Sequence, residues 1–311
     1  MSGAQFRRML KPWMLPIAMT AGVIFHSSIH YIAFLTPYLI FVMLLITFCR
    51  IDPRHIRVSG MSARLLAVQL FAALALYLAL RPVSEVVAQG VFICIFCPTA
   101  TAAPVVTAML GGSLPKLVSF SLISNLTVAV TAPLAFTMMG SNDVDFFGAT
   151  ATIASRVAPL IILPLVVALI MRRATPKVHR TLAEHQSLSF YVWAVSLLIV
   201  VGNSVSFIMK EPAEALPSII WLAVAAAGAC ALQFITGSII GIRSGDRISG
   251  AQGLGQKNTV LAIWMAMTYL NPLSSVAPAA YVAWQNTVNS LQLYFHQRRI
   301  LQADSKGHTE H

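Results

Sequence analysis

Lys257 raises the clearest chemical question in this sequence, because it lies inside an apolar segment between Gln256 and Asn258. A lysine near the centre of a membrane costs roughly 2.5–3.5 kcal/mol on insertion scales, so a partner for its charge is expected. All ten acidic residues fall in predicted loops, tails or span ends. We therefore expect the ammonium to be balanced by backbone carbonyls, by loss of its proton, or by an anionic substrate.

The cysteine and histidine residues do not suggest a redox, metal-binding or catalytic site. Cys94 and Cys97 have the spacing of redox and metal-binding pairs, but no second ligand pair accompanies them. The four cysteines lie in or at the end of apolar runs, and the eight histidines fall at span ends, in loops or in the tail. This distribution predicts no disulfide framework, no metal site and no nucleophile–base pair, so an enzyme is not expected.

The elements that must position Lys257 are helices in a membrane. Of the 311 residues, 57% are hydrophobic and 10% are charged, and globular domains have about 25% charged residues. Mean hydropathy is +0.76, and several apolar runs approach the roughly 20 residues that cross a bilayer. The composition excludes a soluble enzyme, a secreted disulfide scaffold and a disordered chain. We predict an all-α, polytopic membrane protein forming one domain over 1–311. The predicted spans are approximately 10–26, 31–49, 63–80, 85–110, 114–139, 149–171, 187–209, 215–242, 247–270 and 274–296.

The net charge of +11 is interpreted as a topology signal, and nucleic acid is not predicted. With a cytoplasmic N-terminus, 17 of the 21 lysines and arginines fall on the cytoplasmic side, as the positive-inside rule requires. Only Arg81 and Lys210 fall in the opposite loops. We predict a plasma-membrane protein of the bacterial inner-membrane type with both termini in the cytoplasm.

Ten spans divide into two sets of five, and an odd number in each half predicts opposite insertion of the halves. The predicted inverted repeats cover about 6–140 and 146–299. The fourth span of each half also contains residues that break helices: Pro98 and Pro104 in the fourth span, and a run of glycines including Gly250 in the ninth. We predict that both spans are broken and cross near the membrane centre.

Several motifs together resemble the bile acid:sodium symporter family over nearly the whole chain. The motifs are Cys97-Pro98-Thr-Ala-Thr101-Ala followed by Thr107, Gly237-x-x-x-Gly241, Gly255-x-x-Asn258-x-x-Leu261-Ala262, and Trp284-Gln285-Asn286. The resemblance implies a core domain of helices 3–5 and 8–10, a panel domain of helices 1, 2, 6 and 7, and alternating access by rocking or elevator-like motion. It also implies organic-anion substrates: bile salts, sulfated steroids, 2-oxo acids or pantoate-like acids.

The sequence departs from this family at the positions that hold sodium. Sodium-coupled members resemble Glu-x-Gly-x-Gln-Asn in the ninth span, where this chain has Gly253 for the acid and Lys257 for the glutamine. A Ser-Asn pair of the fourth span is replaced by Ala103-Pro104. Sodium favours hard oxygen ligands, so sodium coupling of the usual kind is not expected, while proton coupling through Lys257 stays open. No other cofactor is predicted. The remnants of the ion sites are Gln69, Ser121, Asn125 and Gln256.

The sequence therefore predicts a secondary transporter for a small organic anion, in which Lys257 replaces the charge of sodium. The bilayer and the anion are the predicted partners, and the oligomeric state is left open. The predicted substrate-binding residues are Thr99, Thr101, Lys257, Asn258, Gln285 and Asn286. Two alternatives stay open: an arsenite-type metalloid exporter using the thiolates of Cys94 and Cys97, and a membrane sensor or binding protein that does not transport.

Overall fold

A computed structural model describes residues 14–49, 59–100, 103–139, 146–184, 186–210 and 212–307. Within these ranges the chain is almost entirely helical, and its β-type pairing is one isolated antiparallel bridge between Thr99 and Lys257. The predicted all-α class is confirmed.

Thirteen helices carry labels below. They are α1 Met14–Ile24, α2 Thr36–Cys49, α3 Gly60–Leu80, α4 Glu85–Phe96, α5 Ala103–Met109, α6 Leu114–Met139, α7 Phe146–Ala174, α8 Pro176–Glu184, α9 Gln186–Ile208, α10 Leu216–Ile242, α11 Arg247–Gly255, α12 Thr259–Tyr269 and α13 Val276–Gly307. Short helical turns at His26–Ile29, His30–Leu35, Ala213–Ala215 and Pro272–Ser275 complete the described elements.

Six described helical segments are long and apolar enough to cross a membrane. They are Tyr31–Cys49, Gly60–Leu80, Leu114–Met139, Thr150–Ala174, Tyr191–Ile208 and Ala213–Ile242. Large apolar side chains also face outwards, among them Phe71, Val130 and Trp221. An exterior of this kind is the surface that a lipid environment covers. These helices make the chain a membrane-embedded protein by length and composition.

The two predicted interruptions are present. The fourth predicted span is two helices, α4 and α5, and the ninth is α11 and α12. Each break coincides with residues that disfavour a helix: Pro98 follows the end of α4, and Gly253 and Gly255 lie in the last turn of α11. The shorter apolar helices α4 and α12 therefore end or begin inside the protein.

Helices α10 and α11 pack closely because glycines face each other at their contact. A Cβ atom on Gly250 would collide with the backbone oxygen of Gly237 and lie 2.7 Å from the Cα of Gly241. No side chain separates the two backbones here. This contact fixes α11, and with it the position at which Lys257 follows.

Hydrogen bonds between helix ends define two opposite faces of this part of the fold. On one face, Arg64 donates to the Ser244 hydroxyl over 3.1 Å, and the Ser113 N–H donates to Asp246 over 3.2 Å. We call this the basic face, since Arg243 also belongs to it. On the other face, Gln89 joins α4 to the turn after α12 by accepting from the Asn271 N–H over 2.8 Å.

Helices α1, α2, α7 and α9 pack together: α9 contacts α1 and α2, and α2 contacts α7. Helix α10 instead packs on α4, α11 and α13. Helix α7, which belongs to the predicted panel, also packs on α6 of the predicted core. The division into two moving domains stays a prediction.

We expect Gly250→Ala to lower the free energy of unfolding by about 1–3 kcal/mol, because the added methyl group must push apart two backbones. Thermal unfolding of the purified protein in detergent measures the change. Gly228→Ala on the exposed side of α10 is the control, since nothing lies within 4 Å of its Cβ position. That variant should be unchanged or stabilised by roughly 0.5–1 kcal/mol. Equal midpoints for both variants would contradict the packing described.

Candidate functional site

The two broken helices meet at their breaks through backbone hydrogen bonds. The Ala100 N–H donates to the carbonyl of Gln256, and the Asn258 N–H donates to the carbonyl of Pro98, each over 2.9 Å. These bonds flank the antiparallel bridge between Thr99 and Lys257. We call this junction the crossover. It satisfies backbone groups that the breaks would otherwise leave unpaired in an apolar interior.

Lys257 reaches from one broken helix to the end of the other. Its side chain is only 1% exposed, and its Nζ donates to the carbonyls of Ile95 at 2.7 Å and Cys97 at 2.9 Å. These carbonyls belong to the C-terminal end of α4, where the helix dipole favours a cation. Of the three sequence-based expectations for Lys257, the structure shows the first, a partnership with backbone carbonyls. Within the described ranges Lys257 forms no ion pair with a carboxylate.

Two glutamines satisfy the remaining carbonyls at the end of α4. Gln69 donates to Phe96 over 2.6 Å and to Cys97 over 3.3 Å. Gln233 donates to Cys94 over 3.2 Å. A helix leaves its last four carbonyls without intrahelical donors, and here side chains from three other elements supply them.

The other predicted remnants of the ion sites lie on α6 and at the end of α11. Ser124 of α6 donates to Gln69 over 2.8 Å, which orients the amide of Gln69. Asn125 donates to the carbonyl of Ser121 in its own helix over 2.8 Å. Gln256 caps α11. Of these predicted residues, the structure brings Gln69 and Gln256 to the crossover.

Gly253 faces an aromatic ring at the position where the family resemblance implies an acid. A Cβ atom there would lie 3.0 Å from the ring of Phe120. Its carbonyl accepts a hydrogen bond of 2.7 Å from the Thr99 hydroxyl. A larger side chain at this position would have to displace the ring.

The predicted substrate-binding residues fall into three groups. Lys257, Thr99 and Asn258 lie at the crossover, and Gln285 of α13 joins them by accepting from the Lys257 N–H over 3.0 Å. Asn286 lies on α13 and is half-buried. Thr101 lies outside the described residues. The Thr99 hydroxyl is engaged by Gly253.

Asn258 begins α12 and leaves a donor without a partner. Its Oδ1 accepts from the Leu261 N–H over 3.2 Å, which is the helix cap. Its buried Nδ2 has no hydrogen-bond partner among the described residues, and neither does the neighbouring hydroxyl of Thr259. Leaving a buried polar group unpaired costs about 1–3 kcal/mol. The start of α12 therefore offers two unused polar groups to a ligand.

A row of polar residues on α13 was not predicted from the sequence. The Tyr281 hydroxyl donates to the carbonyl of Gly255 over 2.8 Å, and Gln252 of α11 contacts both Asn289 and Gln292. Together with Gln285, these residues of α13 recur at helical spacing along one face of an apolar segment. That spacing was the signal that could have identified them.

The cysteines are free thiols buried in the protein. The Cys97 thiol donates to the carbonyl of Asn258 over 3.2 Å, so it also ties the two breaks together. In the part of the chain that the structure describes, no group of three histidine, cysteine or acidic side chains could hold a metal ion.

No protein-family model matches this sequence. No curated protein matches it significantly either.

We expect Lys257→Met to lower the free energy of unfolding, because it removes the donor from the buried carbonyls of Ile95 and Cys97. The Ile95 carbonyl loses its side-chain donor at a cost of about 1–3 kcal/mol, while the Cys97 carbonyl keeps the longer bond from Gln69. The control is Lys177→Met on the exposed surface of α8, which should change stability by less than about 0.5 kcal/mol. Thermal unfolding in detergent measures both, and an unchanged midpoint for Lys257→Met would contradict the capping role.

Proposed function

We propose that this protein is a secondary transporter of a small organic anion that works by alternating access. In this proposal ten helices or helix pairs cross the membrane as two inverted halves. The crossover of the two broken helices is the substrate site. Lys257 takes the place of an exchangeable sodium ion.

The observation that carries the proposal is the environment of Lys257. Its ammonium group is buried at the junction of both broken helices, and its hydrogen-bond partners are neutral carbonyls. The carbonyls offset the cost of burial but leave the formal charge uncompensated. An anion that arrives at the crossover would be attracted over a short distance in a medium of low polarity.

The start of α12 supports an anion as the ligand. The N-terminal end of a helix favours negative charge, and two unpartnered groups, Asn258 Nδ2 and Thr259 Oγ1, lie there. Both can donate hydrogen bonds to a carboxylate or a sulfonate. The ammonium of Lys257, the amide of Asn258 and the hydroxyl of Thr259 would thus contribute a charge and two donors.

The broken helices support transport in preference to a passive binding role. Non-helical backbone at membrane depth is tolerated where it is buried in protein or lines a polar cavity, and in many secondary transporters such broken helices form the substrate site. A sensor with the same site would bind the anion without accumulating it. Uptake by proteoliposomes separates the two cases, since only a transporter moves labelled anion into the vesicle lumen, whereas a sensor shows saturable binding alone.

A thermal-shift screen against 2-oxo acids, sulfated steroids and bile salts would identify a ligand for these assays. A compound at 100 times its Kd stabilises the folded protein by about 2.7 kcal/mol. Cationic compounds of similar size serve as the negative control, and they should not stabilise the protein. If cations stabilise the protein and anions do not, the charge argument fails.

We expect anion uptake to be unchanged when sodium is replaced by potassium or choline. The cation that neutralises the end of α4 is already part of the chain. A steep dependence of uptake on sodium concentration would contradict this. In the same vesicles, an imposed pH gradient distinguishes a proton-coupled carrier from an exchanger or uniporter.

We expect Asn258→Ser to weaken anion binding by about 1–3 kcal/mol, because the amide donor is lost. The serine oxygen can still cap α12, so the midpoint of thermal unfolding without ligand should change little. Asn271→Ser is the control, since Asn271 caps the exposed turn after α12 through its Oδ1 in the same way. Normal anion affinity in Asn258→Ser would place the site elsewhere.

A further inference from the structure

Amide side chains line the contact between α11 and α13. Gln252 and Gln256 are four residues apart, so they occupy one face at the end of α11. Gln285, Asn289 and Gln292 follow one face of α13. We call these five residues the amide lane.

Hydrogen bonds show that the two rows face each other. Gln252 Nε2 donates to Asn289 Oδ1 over 3.2 Å and to Gln292 Oε1 over 2.7 Å. At the inner end, Gln285 accepts from the backbone of Lys257. The lane therefore begins at the crossover and continues along α13 toward its C-terminal part.

The lane contains acceptors that the protein does not satisfy. The Oε1 atoms of Gln252 and Gln256 are both buried and have no hydrogen-bond partner within the described ranges. An unpaired buried oxygen costs about 1–3 kcal/mol, so a donor for these two oxygens is expected. Water is small enough to donate to both oxygens and commonly satisfies such groups.

Burial decreases along α13 in one direction. Gln285 is 2% exposed and Asn289 is 5% exposed, whereas Gln292 is half-buried. Helix α11 begins at the basic face, where Asp246 caps it and holds Ser113. Since Gln252 in the second turn of α11 contacts Gln292, the outer end of the lane lies toward the basic face.

We infer that the amide lane is a hydrated path from the basic face to the crossover, which carries water and small hydrogen-bonding solutes. Its role as the route by which the anion leaves or enters rests on the proposed function. Its hydration does not, because it depends only on the amides and their unpaired oxygens.

Cysteine substitution tests the inference in lipid nanodiscs, where both faces are open to solution. Asn289→Cys places a thiol in the lane. Leu291→Cys places a thiol two residues further along α13, at a residue that is 51% exposed in the isolated protein. In nanodiscs we expect Leu291 to face hydrocarbon, so its thiol should not react with a small charged methanethiosulfonate reagent. We expect Asn289→Cys to react at least tenfold faster than Leu291→Cys, measured by intact mass against the unsubstituted protein.

Equal or slower labelling of Asn289→Cys overturns the inference. If that variant does not fold, Gln285→Cys at the buried inner end of the lane takes its place with the same control and the same threshold. Labelling needs no substrate, so the two proposals can fail separately. Fast labelling without anion uptake would support the hydrated lane and reject the transporter. Anion uptake without labelling would support the transporter and reject the hydrated lane.

Discussion

The need to satisfy backbone carbonyls at the end of α4 is the constraint on which the centre of the fold depends. A helix that ends in an apolar interior exposes carbonyls where water cannot reach them. Lys257, Gln69 and Gln233 supply the donors, and they come from three separate parts of the chain. Helices α3, α4 and α10 are consequently held to the crossover by the same requirement that the break in α4 creates.

A lysine that satisfies the carbonyls at the end of α4 differs in its consequences from a bound ion at the same place. A covalently attached lysine cannot leave the site, so the end of α4 keeps this hydrogen-bond donor in every state in which the crossover is intact. The cation then stabilises the fold continuously and carries no free energy from an ion gradient. In the proposed transporter, the driving force must therefore come from the substrate itself, from a proton or from an exchanged anion.

The sequence predicted what depends on local chemistry and missed what depends on contacts across the fold. Pro98 and the glycines around Gly253 located both breaks, because their effect on a helix is local. Burial of Lys257 followed from its apolar neighbours. The choice of the Ile95 and Cys97 carbonyls as its partners did not, since these residues are 160 or more positions away. Several expectations, including the family, the ten crossings and the anion, depend on resemblance or topology and stay predictions.

The polar face of α13 shows a further limit of local reasoning. Gln285 was noticed because it belongs to a motif, whereas Asn289 and Gln292 lie in an unremarked part of the same helix. Their role becomes apparent only when Gln252 is seen to face them. The helix also continues to Gly307, beyond the predicted end at 296, because a helix can persist after its apolar residues stop.

The glycine contact between α10 and α11 has a consequence for how the protein can vary and move. Backbone atoms form this contact, so no rotamer change can make room for a larger side chain at Gly237 or Gly250. Related sequences should keep small residues at both positions whatever their substrates are. Because no side chain lies between α10 and α11, the two helices cannot slide past each other without a collision of their backbones. Helices α10 and α11 should therefore move together as one rigid unit. Any bending of the ninth predicted span should occur in the short non-helical segment that contains Lys257.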